Sequence, residues 1–150
     1  MRLSRIVNWL LLFMLLIPAI TMAREAEIYT KFFSNLALEG YDTVAYFDQQ
    51  KPVKGKSEFS YKYKDAMWQF SSQENLDKFI AMPRKYAPQY GGYCAWLVAN
   101  GDTAKGDPKY WSIENGKLYL NYDADIQEKW LADKPGFIIK GDAMWPSVLN

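Results

Sequence analysis

The chain has 150 residues, no histidine, one cysteine and nearly balanced charge, with 18 Lys and Arg against 17 Asp and Glu. The missing histidine excludes Cys-His nucleophilic pairs and removes the commonest zinc and copper ligand, while the interspersed charges leave no basic patch for nucleic acid. A single cysteine cannot form an internal disulfide, so stability must come from packing, for which the 17% aromatic content supplies large side chains.

Residues 1–23 read as a secretory signal peptide. Arg2 and Arg5 precede an apolar block from Trp9 to Ile17, then Pro18, then Thr21 and Ala23 as the small residues of a cleavage site. A spanning helix needs roughly 20 apolar residues, and this block, bounded by Asn8 and Pro18, is shorter. The expectation is cleavage after Ala23 and a mature chain from Arg24 that keeps no stable membrane anchor and is periplasmic or secreted. Residues 24–150 have the size of one domain.

In the mature chain, Ile28 to Phe32 reads as an edge strand. Asp42 is placed to cap a helical turn over Thr43 to Phe47, with Val44 and Phe47, or Thr43 and Phe47, as its spacing partners. Gln49 to Lys56, polar with Pro52 and Gly55, reads as a connection. Phe59, Tyr61 and Tyr63 alternate with polar residues, as do Trp68 and Phe70, which predicts a hairpin about Asp65-Ala66 with one buried aromatic face. Ser71 and Glu74 have the spacing of a capping box for a helix that Pro83 ends, and Leu76, Phe79 and Ile80 share one of its faces.

The stretch from Tyr86 to Trp96 holds Pro88, Gly91-Gly92 and the lone Cys94, and predicts a tight loop feeding a short helix that Asn100-Gly101 closes. Cys94 then falls in a first turn, where free N–H groups favour a thiolate; the competing reading is a small buried hydrophobe. Beyond the polar connection of Gly101 to Pro108, Tyr110 to Glu114 and Lys117 to Tyr122 form a second hairpin about Asn115-Gly116, a pair suited to a type I′ turn. Asp123 caps a helix that carries Ile126 and Trp130. Asp133 with Pro135 opens the last one, with Phe137, Gly141 and Trp145 on a common face. Hairpin then helix thus recurs at an offset of about 50 residues, with poorly matching side chains. The fold class is α+β: a small single domain of antiparallel β-hairpins packed with short helices.

Three groups of residues give a family resemblance. Phe59 to Tyr86, with Trp68-Gln69-Phe70-Ser71-Ser72, Asn75 and Phe79, and Pro83, Lys85 and Tyr86, resembles the YHS domain. Gly40-Tyr41-Asp42-Thr43-Val44-Ala45-Tyr46-Phe47 ahead of it, and Gln89-Tyr90-Gly91-Gly92-Tyr93-Cys94 and Gly116 to Tyr122 after it, are similar to the exported single-domain branch of that family, so the resemblance runs over about 36–146. It implies a small α+β domain and a metal-related role, with copper as the metal. The cysteines of metal-binding YHS domains correspond here to Ala45, Ser71 and Asn75, which are poor ligands or none for a soft ion. Cys94 remains as the candidate metal ligand, with thioethers to be drawn from Met67, Met82 and Met144.

No carboxylate pair, Cys-His pair or phosphate-binding glycine loop marks an enzyme. The alternative to metal binding is a metal-independent module for a protein partner or a small apolar ligand, with Tyr86, Tyr90, Gly91, Gly92 and Tyr93 as its binding loop, because Tyr joins an apolar body to a polar tip. For the thiol, burial is the expectation, since a lone exposed cysteine in an oxidising compartment invites intermolecular disulfides.

Overall fold

The computed structural model describes residues 23–150, so the expected signal peptide lies outside the described residues except for Ala23. Among the described residues, no helix is long and apolar enough to cross a membrane. The architecture is α+β: six α-helices and two antiparallel two-stranded sheets.

A 3-10 turn at Leu38–Gly40 leads to α1 (Thr43–Asp48), which Asp42 caps as its sequence position predicts. The first hairpin pairs β1 (Lys56–Tyr63) with β2 (Ala66–Phe70). Its turn is Lys64-Asp65, both with positive φ, one residue earlier than Asp65-Ala66. The shift puts Ala66 in the ladder opposite Tyr63 and buries Ala66, Trp68 and Phe70 on one face. Helix α2 (Gln73–Ala81) is capped by Ser72, whose hydroxyl accepts from the Asn75 N–H. Ser71 does not take that role, because its own N–H and hydroxyl are held by Asp42. Leu76 and Phe79 are buried on the inner face of α2, whereas Ile80 is exposed: one helical step of about 100° beyond Phe79 carries it past the edge of the stripe. Pro83 does not merely stop α2 but starts α3 (Pro83–Tyr86), at the position where its missing N–H costs nothing.

After a 3-10 turn at Gln89–Gly92 come α4 (Ala95–Ala99), then β3 (Asp107–Glu114) and β4 (Lys117–Asn121), α5 (Ala124–Ala132) and α6 (Lys134–Met144). The Asn115-Gly116 turn has positive φ at both residues, and Asp123 and Asp133 cap α5 and α6 through the N–H groups of Ile126 and Gly136. The expected edge strand at Ile28 to Phe32 is not formed. One bridge, Thr30 to Ala37, is all that pairs there. Ile28 instead buries against the first core, and Phe32 and Phe33 stand in solvent at a turn where Phe33 has φ of 63°.

The echo in the sequence is a structural repeat. β1 and β3 start at Lys56 and Asp107, β2 and β4 at Ala66 and Lys117, α2 and α5 at Gln73 and Ala124, each 51 residues apart. The irregularity in the ladder recurs as well, between Lys56 and Ser60 in one hairpin and Asp107 and Trp111 in the other. Ahead of each hairpin the same tie is made: Tyr41 bridges Lys54 as Tyr93 bridges Lys105, and Gly55 donates to the Gly40 carbonyl as Gly106 donates to that of Gly92. Backbone pairing persists where side chains have changed, because it depends on glycines, turns and register rather than on side-chain identity. β4 separates two cores. Leu118 and Leu120 face the first, with Trp68, Phe70 and Phe79, while Tyr119 faces the second, with Tyr90, Tyr93, Val98 and Trp130.

Candidate functional site

At the centre of the first copy lies a fully buried carboxylate, Asp42. Its Oδ1 accepts from the Val44 N–H (2.9 Å) and the Ala45 N–H (3.3 Å); its Oδ2 accepts from the Ser71 N–H (2.8 Å), the Ser71 hydroxyl (2.6 Å) and the Asn75 amide (2.7 Å). Each donor comes from an element that ends or begins there: the first turn of α1, the residue after β2, and the first turn of α2. The three positions that the resemblance matches to metal-ligating cysteines, Ala45, Ser71 and Asn75, therefore do converge. They converge on Asp42, and five donors take up the roughly four lone-pair sites that a carboxylate offers.

The second copy repeats the cradle with a different occupant. Cys94 stands at the N-cap of α4 without a side-chain cap hydrogen bond; the N–H groups of Leu97, Tyr122 and Trp96, at the places of Ala45, Ser71 and Val44 in the first copy, pull its pKa down, and that of Trp96 donates to Asn121 Oδ1 at 3.3 Å. The thiol is fully buried and donates to Asn121 Oδ1 at 3.7 Å, and burial pushes its pKa up, against the opposing pull of those N–H groups. For a copper ion this donor set does not fit. It offers one sulfur behind a closed surface, whereas the thioethers of Met82 and Met144 stand on exposed side chains. Among the described residues, no group of three or more Cys, Asp or Glu is placed to hold a metal ion.

The loop candidates separate. Tyr86 is buried in the first core, edge-on to Phe47 at 5.4 Å, and Gly92 is buried with its carbonyl engaged by Gly106. Tyr93 donates to the Ala26 carbonyl at 2.8 Å, and burial pushes its hydroxyl up to about 12. It borders a shallow recess with Tyr29 and Phe32. Tyr90 and Gly91 line a different opening, a groove of about 330 Å3 between the two copies. Tyr90 adopts φ of 55° and donates to Asp142 at 2.9 Å; burial, with that carboxylate second, raises its pKa. At Gly91 the backbone is at φ of 61°, and a Cβ would lie 1.7 Å from the Glu27 carbonyl, so glycine is what lets residues 26–29 lie across the loop.

The rest of the groove is built by residues that read in the sequence only as parts of hairpins and helices, or not at all. Lys64 and Arg84 come from the first copy; Lys117, Asp142 and Trp145 come from the second, with Tyr63 on the wall and Glu27 at the rim. Their separation in sequence left no local signal.

A capped α1, a bulged hairpin and a capped α2 closing on one buried carboxylate define a small α+β unit. The family follows from the sequence of that unit: residues 44–90 match the YHS domain family, and this part of the chain is a YHS domain. The match runs from α1 to the central loop and thus spans the first copy, less than the 36–146 over which the resemblance was read. No curated protein and no solved structure matches the chain.

Proposed function

We propose that this is an exported YHS-domain binding module that works without a bound metal, its ligand seated in the groove between the copies. The observation that carries the reading is the Asp42 cluster: the positions expected to supply soft ligands form instead a closed set of hydrogen bonds around a carboxylate. Cys94, the remaining soft cysteine donor, lies beneath a sealed surface with its thiol on Asn121 Oδ1. The groove, by contrast, is open to solvent, lined by aromatic rings and charged side chains, and placed at a junction between packed units, where ligand sites concentrate. Export is supported by the leader pattern of residues 1–23.

Competition for copper(I) against a chromophoric chelator, followed on the mature protein, tests the metal half of this proposal. The chelator should keep its copper, and Cys94→Ala should leave the titration unchanged. Stoichiometric withdrawal of copper, abolished by Cys94→Ala in a protein that stays folded, would overturn it.

A further inference from the structure

The charges around the groove indicate what it holds, an inference that rests on the groove being the binding site. Three cations line it, Lys64, Arg84 and Lys117, and two carboxylates, Glu27 and Asp142. Both carboxylates are engaged within the protein: Glu27 pairs with Lys64, and Asp142 accepts the Tyr90 hydroxyl. Among the described residues, neither Arg84 nor Lys117 has a carboxylate at ion-pair distance. The lining is thus cationic by one net charge, and Arg84 and Lys117, one from each copy and neither in an ion pair, border a cavity walled by Tyr63 and Trp145. We propose that the groove binds a small anionic molecule with a flat apolar body, its carboxylate or phosphate group taken by Arg84 and Lys117 and its ring laid against Tyr63 and Trp145.

The chemistry of each part supports this class. The guanidinium of Arg84 presents a planar fork that matches two oxygens of a carboxylate or phosphate, and Lys117 adds a point charge from the facing copy. A volume of about 330 Å3 is near the lower end for ligand sites, which suits one ring with a head group rather than an extended chain. A neutral apolar ligand would make no use of that net positive charge.

Backbone and indole NMR spectra of the mature protein, titrated separately with phenyl phosphate, phenylacetate, inorganic phosphate and neutral benzyl alcohol, test the proposal. Phenyl phosphate or phenylacetate should shift the Gln89, Tyr90 and Gly91 amides and the Trp145 indole, and the stronger of the two identifies the head group. Arg84→Gln and Lys117→Gln, both at exposed side chains and checked for an unchanged fold by circular dichroism, should each weaken that binding about tenfold. Benzyl alcohol binding as tightly as the anions, unaffected by either variant, overturns the anionic class while leaving the groove as the site. Inorganic phosphate matching phenyl phosphate overturns the ring contact. If no probe moves these signals at millimolar concentration, the ligand class is overturned, and copper(I) uptake through Cys94 in the same sample overturns the groove reading with it.

Discussion

Removing the carboxylate at the centre of the YHS unit should be among the most damaging single changes in the chain. Asp42→Ala deletes the cap of α1, worth about 1 kcal/mol, leaves the Ser71 N–H without an acceptor, at about 1–3 kcal/mol, and leaves the buried Asn75 amide only the Ser71 hydroxyl at 3.4 Å, at about 1 kcal/mol. The expected loss is about 3–5 kcal/mol, a large share of the roughly 5–15 kcal/mol that holds a domain folded. Asp42→Asn separates capping from the rest. Its amide oxygen can still accept from Val44 and Ala45, but its NH2 then faces the donors Ser71 N–H and Asn75, so about 2–3 kcal/mol should still be lost. Urea unfolding followed by tryptophan fluorescence reads both values, and Trp68, buried against Phe79 at 4.9 Å, reports on this core. A cost below about 1 kcal/mol for Asp42→Ala would mean that the five hydrogen bonds do not organise the unit and that the argument from them fails.

Four further outcomes follow from the same structure. Cys94→Asp should fold, because residue 94 holds the N-cap position of α4 that Asp42 holds in α1, and the Asn121 amide Nδ2, buried without a partner, can turn to meet the new carboxylate; thermal unfolding should show it at least as stable near neutral pH as Cys94→Val. The wild-type thiol should resist iodoacetamide until the protein unfolds, and stability should fall as pH rises past about 8.5, where the unfolded thiol begins to ionise while the buried one, with its raised pKa, stays protonated; Cys94→Ala should flatten that slope. Gly116→Val should cost roughly 1 kcal/mol or more by chemical denaturation, all of it backbone strain, since a Cβ there meets nothing within 4 Å. Gly91→Ala should cost more than Gly116→Val and expose residues 26–29 to proteolysis, because its Cβ collides with the Glu27 backbone.

Elements whose ends are marked by local chemistry were legible in the sequence. Asp42, Asp123 and Asp133 cap the helices expected of them, and Asn115-Gly116 turns the second hairpin, because caps and tight turns are decided within four residues. The cap of α2 was expected one residue early, because tertiary structure decides it: Ser71 is bound to Asp42, 29 residues away, and Ser72 caps the helix. The strand expected at Ile28 to Phe32 failed for a similar reason, since that segment lies across the central loop rather than along a sheet. Gly91 shows why the groove stayed hidden although the repeat left an echo in the sequence. A pair of glycines reads as a turn, but only the fold reveals that the second copy begins there and that Glu27, Arg84, Lys117 and Trp145 meet beside it.

The claim that this YHS domain works without metal is tested most directly by elemental analysis of the mature protein purified from the exported fraction, without chelators. The account predicts copper and zinc far below one equivalent per chain. One equivalent of copper, retained through gel filtration and lost in Cys94→Ser, would contradict it and make the buried thiol the functional centre.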